Sequence, residues 1–144
     1  MNFTLPFFRK QKPIRDLPPY ERGLYYESFA CNYLKKRGYV ILDRNVKGPA
    51  KSEIDIVAKQ GDLLVFAEVK ARRKHTLYLP LRSIDARKRS ALQRAARSYL
   101  RDLSQSGVDL DEITVRYDAI TVSFDREGVP RSLDHYENFL EEEA

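Results

Sequence analysis

Cysteine is almost missing from this chain. With Cys31 alone no internal disulfide can form, and with only His75 and His135 beside it no zinc cage can be assembled. No run comes near the roughly 20 uninterrupted apolar residues that a bilayer-spanning helix requires. Residues 1–8 are too short, and too broken by Pro6, to read as a secretory signal. A glycine-rich phosphate loop and a Ser-His-Asp signature are absent as well, and His75 and His135 fit local hydrogen bonding better than acid–base work. The expected setting is the reducing cytoplasm, with no membrane partner.

What is present fits one globular domain. Hydrophobic residues make up 42% of the 144 and charged residues 33%, too balanced for either a membrane bundle or wholesale disorder. The net charge of +5 hides a strong asymmetry. Residues 70–101 carry eleven Lys/Arg against the single acid Asp85, whereas residues 102–144 carry three against twelve acids. A basic middle segment suits a polyanion, because phosphates neutralised by Lys and Arg release counterions. The plainer account is a solvated helix face.

Residues 1–19 hold Pro6, Pro13, Pro18 and Pro19 with four basic residues and no periodicity, and read as a basic, flexible or loosely docked arm. A single domain is expected over 20–140, with an acidic tail at 141–144. Apolar residues at Tyr26, Phe29, Ala30, Tyr33 and Leu34 predict a helix over 20–37, stopped by Gly38. Short β-rich segments at 39–44, 53–59 and 63–70 predict three strands, with a looser turn at Gly48-Pro49-Ala50. Only Gln60, Gly61 and Asp62 separate the second from the third, so those two form an antiparallel hairpin. A helix over 85–101 and a strand over 113–124 follow, and a right-handed crossover puts that strand parallel to the third or near it. The tail from Leu133 adds a short strand or helix.

The hairpin carries the chemistry. Alternation puts Glu53, Asp55 and Val57 on one face of the second strand and Ile54, Ile56 and Ala58 on the other; Leu64, Phe66, Glu68 and Lys70 share a face of the third. A two-residue turn at Gly61-Asp62 sets Asp55 opposite Glu68 and Glu53 opposite Lys70. Two carboxylates facing each other across a ladder destabilise it, and a divalent cation removes the conflict. All-oxygen ligands suit Mg²⁺. Lys70 then stands where a lysine can aid a water or a phosphate, the plain alternative being a surface pair with Glu53. Glu27 lies about 90° from the centre of the first helix's apolar stripe and can reach the sheet edge. On the second helix, Lys88 and Arg89 lean toward the sheet, while Arg87, Arg94, Arg97 and Arg101 point to solvent. Lys88 is an auxiliary phosphate contact by this reading, with Arg89 beside it, and Arg72, Arg73 and Lys74 beyond the third strand grip a nucleic-acid backbone. Tyr117 and Asp118 receive no role.

Taken in order, Gly23-x-x-x-Glu27, Tyr33-Leu34, Gly38-Tyr39, Arg44-Asn45, Glu53-Ile54-Asp55-Ile56, Val65-Phe66-Ala67-Glu68-Val69-Lys70, Asp85-Ala86-Arg87-Lys88 and Arg94-Ala95-Ala96-Arg97 resemble the YraN family, bacterial predicted endonucleases placed in the PD-(D/E)xK superfamily. The resemblance runs from about Gly23 to Ser123. It implies an α/β restriction-endonuclease-like fold, a central mixed β-sheet flanked by helices, related to Holliday-junction resolvases. It also implies Asp55, Glu68 and Lys70 as the signature's acidic, acidic and lysine positions, and Glu27 as the helix carboxylate at the metal site. Family members often carry paired glycines where this chain has Gly48-Pro49-Ala50-Lys51-Ser52.

The expectation is a Mg²⁺- or Mn²⁺-dependent endonuclease, with Asp55, Glu68 and Glu27 as metal ligands. DNA is expected over RNA, including branched repair or recombination intermediates. A homodimer would serve a symmetric four-way junction, which presents two strands to cut. The rival readings are a nucleic-acid-binding module without chemistry and an adaptor that docks through its acidic tail.

Overall fold

The structure is a computed structural model that describes residues 12–74 and 84–141. Residues 1–11 of the expected arm, His75 and the tail residues 142–144 lie outside the described residues. The chain forms helix α1 (Pro19–Lys36), strands β1 (Val40–Lys47), β2 (Glu53–Gln60) and β3 (Leu63–Arg73), helix α2 (Ala86–Gln105), and strands β4 (Thr114–Phe124) and β5 (Pro130–Tyr136). The strands make one mixed sheet in the order β1-β2-β3-β4-β5, antiparallel except for the parallel pair β3 and β4. This is an α/β fold compatible with the restriction-endonuclease-like architecture.

Local chemistry explains the element ends. Helix α1 starts on Pro19 at its first position, carries Glu21 in the first turn and Lys35 and Lys36 in the last, and so complements its dipole at both ends. It closes as a Schellman motif: the Gly38 and Tyr39 amides donate to the Lys35 and Leu34 carbonyls, each at 3.0 Å. Helix α2 is capped by Asp85, whose carboxylate accepts from the Lys88 amide at 2.9 Å. It runs to Gln105, past the expected Arg101, because Leu103 extends the stripe of Ala96, Tyr99 and Leu100. Strand β3 continues to Arg73 because β4 pairs with it through Arg73 and Phe124. Of the expected 1–19 arm, Ile14 packs on the α1-side core and the Arg15 amide donates to the Glu127 carbonyl at 3.1 Å.

The two faces of the sheet bury separate cores. Under α1 lie Tyr26, Ala30 and Leu34 with Ile56, Ala58, Val65, Ala67, Ile120 and Val122. Under α2 lie Leu92, Ala95 and Ala96 with Val57, Leu64, Phe66 and Ala119. The hairpin turn has the expected form, Gly61 at φ 59° with Gln60 paired to Leu63. The 48–52 turn is tighter than the loose connection anticipated. Ser52 is buried and its amide donates to the Pro49 carbonyl at 3.1 Å, across Ala50 and Lys51 at φ 54° and 58°. Two consecutive left-handed residues make the backbone of a type I′ turn, for which glycine is the low-strain choice. Gly48 is required by contact instead, since a Cβ there would stand 2.8 Å from the Ala95 Cα.

One predicted face is wrong. Ile54 does not join Ile56 and Ala58 but packs in the α2-side core with Val57 and Phe66. The last β2–β3 ladder pair is Ile56 with Ala67, whereas β2 stays paired to β1 through Glu53 and β3 stays paired to β4 through Arg73. Beyond Ile56 the sheet forks, and strand twist without a neighbour on that side turns Ile54 inward under α2.

Candidate active site in the fork of the sheet

The fork sets the geometry. One step past the last ladder pair, on the same register, stand Asp55 and Glu68, close enough that the charge of Asp55 raises the pKa of Glu68. Because no β2 carbonyl remains opposite it, the Val69 amide donates to the Asp55 carboxylate at 2.8 Å instead. Both acids are buried, at 6% and 8% exposure. Glu27, buried on α1, approaches closely enough that Asp55 raises its pKa. The structure thus sets Asp55 beside Glu68 and Glu27 within electrostatic reach of Asp55, but among the described residues no group of three His, Cys, Asp or Glu is placed to hold a metal ion.

Burial raises all three pKa values. Desolvation lifts Glu27 to about 7, with the Asp55 charge adding to it while the Asn45 side chain and Arg44 oppose it. Desolvation lifts Asp55 to about 6 against the Val69 hydrogen bond, and lifts Glu68 to about 8 with the Asp55 charge reinforcing it. Both carboxyls of the pair are thus held above the ordinary carboxylate range, and the cluster is short of positive charge. Glu27 Oε1 is buried without a hydrogen-bond partner, 4.0 Å from the Arg44 guanidinium. Hard carboxylate oxygens with an unsatisfied buried lone pair fit a divalent cation such as Mg²⁺ or Mn²⁺.

Two clefts meet at Glu53. One, of about 340 Å³, is lined by Tyr20, Gly23, Glu27, Asn45, Lys47 and Glu53 on the α1 side. The other, of about 190 Å³, is lined by Lys51, Glu53, Glu68, Lys88 and Ala91 under the start of α2. The alternative Glu53–Lys70 pair is not formed. Glu53 bonds to Lys47, its partner across the β1–β2 ladder. Lys70 is half-buried and makes no ion pair among the described residues. The parallel register puts it beside Thr121, whose hydroxyl is buried and unpartnered.

The basic residues divide. Lys88 Nζ stands 3.7 Å from Glu68 Oε1, confirming that it leans toward the sheet. Arg89 donates to the Ile84 carbonyl at 2.8 Å and lies 5.0 Å over the Phe139 ring, so it holds α2 to the chain's end. Arg72 and Arg73 belong to β3 rather than lying beyond it, and Lys74 follows directly. Arg94, expected on the solvent side, is half-buried with its Nε enclosed and unpartnered, because α2 lies close over the 48–52 turn.

Sequence reasoning missed two groups. Arg44 and Asn45 were quoted only for the resemblance, yet both reach Glu27, and Arg44 also bonds the Ser28 hydroxyl at 3.0 Å. Their shared β1 position next to the helix flank could have signalled this. Asp118 is the second. Fully buried, it accepts from Arg116 at 2.8 and 2.7 Å, from His135 Nε2 at 2.7 Å and from the Asn138 amide at 3.0 Å. Tyr33 bonds His135 Nδ1 at 3.0 Å and Arg116 donates to the Tyr39 hydroxyl at 2.8 Å, closing a polar network that ties β4, β5 and α1. His135 is thus a local hydrogen-bonding residue, as the sequence predicts.

With this geometry in view, comparison with known proteins is informative. The model of the Uncharacterised protein family UPF0102 matches residues 26–122, which includes Glu27, Asp55, Glu68 and Lys70. The chain belongs to the UPF0102 family. This is the YraN family of the resemblance above. A UPF0102 protein of Pelotomaculum thermopropionicum is 41% identical over 116 residues, 81% of this chain and 92% of the relative. A UPF0102 protein of Moorella thermoacetica is 41% identical over 106 residues, 74% and 83% of the two chains. One from Clostridium acetobutylicum is 36% identical over 116 residues, 81% and 90%. Among the described residues of this UPF0102 chain, no helix is long and apolar enough to cross a membrane.

Proposed function

We propose that this UPF0102 protein is a metal-dependent nuclease that hydrolyses phosphodiester bonds, with DNA as its polymer. The observation that carries the reading is the pair of buried carboxyls Asp55 and Glu68 at the fork, with Glu27 near Asp55, Lys88 3.7 Å from Glu68, and Lys70 two residues along β3. Such a pair is destabilising in the empty fold and makes sense as a ligand set. Asp55, Glu68 and Glu27 would hold Mg²⁺ or Mn²⁺. A bound divalent ion supplies Lewis acidity toward a phosphoryl oxygen and lowers the pKa of water.

The chain's own residues do the rest. Arg44 and Asn45 orient Glu27. Lys70, which has no ion pair among the described residues, would donate toward a water or a phosphate oxygen. Ala86, Arg87, Lys88 and Arg89 open α2 with three cations and no acid, against the usual dipole preference. A helix N-terminus so charged concentrates positive potential beside Glu68, where a phosphate backbone would pass. Arg72, Arg73 and Lys74 extend that field along β3.

The test is a cleavage panel of single-stranded, duplex, flapped and four-way DNA with Mg²⁺ or Mn²⁺. Wild type should cut at least one substrate, and Asp55→Ala and Lys70→Ala should each lower the rate by about a hundredfold or more while keeping the folded circular-dichroism spectrum. Undiminished cutting by both variants overturns the site. Salt-sensitive DNA binding with no cleavage under either metal would instead favour a binding module.

A further inference from the structure

The turn between β4 and β5 sits just past Arg73, at the end of β3 toward which the fork opens, and is unusually well braced. Asp125 accepts from the Glu127 and Val129 amides at 2.9 and 3.0 Å and from Arg131 Nε at 2.7 Å. Glu127 is held by Arg15 at 2.8 Å, and the Gly128 carbonyl accepts from the buried Tyr26 hydroxyl at 2.8 Å. Both acids of the turn are therefore neutralised by partners within the fold. Arg126, exposed on the same turn, has no anionic partner among the described residues, and neither do Arg73 and Lys74 across the gap. These three cations border a cleft of about 470 Å³ with Phe124 and Asp125. The Lys74 amide bonds to the Phe124 carbonyl at 2.7 Å, fixing the two walls to each other.

We infer that Arg126, Arg73 and Lys74 form a preformed second anchor for the sugar-phosphate backbone of the nucleic acid engaged at the fork. The inference rests on the nuclease reading for the identity of the polymer. These three cations, without an anionic partner among the described residues, are carried on a braced turn and a strand end, so the backbone that presents them needs no ordering on meeting an anion, which is what separates a contact site from charges on a loose loop. Glu68 and Arg73 lie five residues apart on β3, so the anchor stands about 17 Å from the carboxylates. At about 3.4 Å per nucleotide step, one duplex spans both with roughly five base pairs between them. No base-reading group is implied, so the contact is independent of sequence.

Binding of a fluorescein-labelled 20-base-pair duplex to the full chain, followed by anisotropy in EDTA across a salt series, tests this. Arg126→Ala should weaken binding about threefold to tenfold and flatten the log affinity against log salt slope by about one, and the Arg73→Ala, Lys74→Ala, Arg126→Ala triple variant by about three. Arg101→Ala, which removes an exposed charge at the far end of α2, should leave the slope unchanged. A triple variant that keeps the wild-type slope, or one no different from Arg101→Ala, overturns the anchor. If wild type binds with this charge dependence but cuts nothing, the nuclease reading fails and the anchor stands; if it cuts while the triple variant binds normally, the reverse holds. Wild type that neither binds nor cuts removes both.

Discussion

Two buried acidic centres lie one strand apart, and their hydrogen bonding could hardly differ more. Asp118 takes four hydrogen bonds from Arg116, His135 and the Asn138 amide, whereas Asp55 takes one, from the Val69 amide, and faces a second carboxyl. Burial pushes Asp118 upward, but the bonds from His135 and Arg116 outweigh it and hold the group below the ordinary carboxylate range. At Asp55, Glu68 and Glu27 nothing outweighs burial, and all three rise. A fold that solves the problem of a buried carboxylate at one position and leaves it unsolved at three others has kept the second set for something outside itself.

The largest effect should come from breaking the satisfied centre. Asp118→Ala takes from the largely buried Arg116 its bidentate partner, leaving as counter-charge among the described residues only the exposed Glu137 at 3.6 Å, and should cost about 3–5 kcal/mol in urea denaturation, enough to threaten the fold. The equivalent change at the fork should act the other way. Asp55→Asn removes the repulsion and should raise the stability of the metal-free protein at pH 8 by about 1–3 kcal/mol while abolishing cleavage. A loss of stability there would mean that the cluster is structural after all.

Proton linkage sharpens the contrast. Carboxyls raised by folding bind protons more tightly in the native state than in the unfolded one, so their contribution is complete below about pH 4 and is lost as pH climbs through about 6, 7 and 8. The melting temperature of the metal-free protein should therefore fall as pH rises from about 5 to about 9. Asp118, depressed by folding, contributes above its unfolded value and loses that contribution only as pH falls below about 4. Scanning calorimetry of the Asp55→Asn, Glu68→Gln double variant should show the alkaline slope flattened and the acid limb intact. An unchanged alkaline slope would place its origin elsewhere.

The smallest effect concerns the neighbour of Lys70. Thr121→Val replaces a buried, unpartnered hydroxyl with a methyl and should stabilise the protein by about 1 kcal/mol, read as a rise in melting temperature. If it destabilises instead, a water already satisfies that hydroxyl.

Much of this was legible in the chain. Period-two alternation and the Gly61-Asp62 turn fix the hairpin register, and with it the meeting of Asp55 and Glu68, because pairing follows from turn length alone. The 3.6-residue period of α1 placed Glu27 on the flank facing the sheet. Such facts depend on neighbours along the chain or across one turn. Tertiary packing decided the rest: the fork that turns Ile54 inward, the Lys47 partner that draws Glu53 away from Lys70, and the network that makes Asp118 structural. Each of these depends on groups 6 to 102 positions apart, such as Lys47 with Glu53 and Tyr33 with His135, brought together only when both sheet faces are covered. A sequence names the charges; whether a buried charge is satisfied depends on what the rest of the fold places within hydrogen-bonding distance.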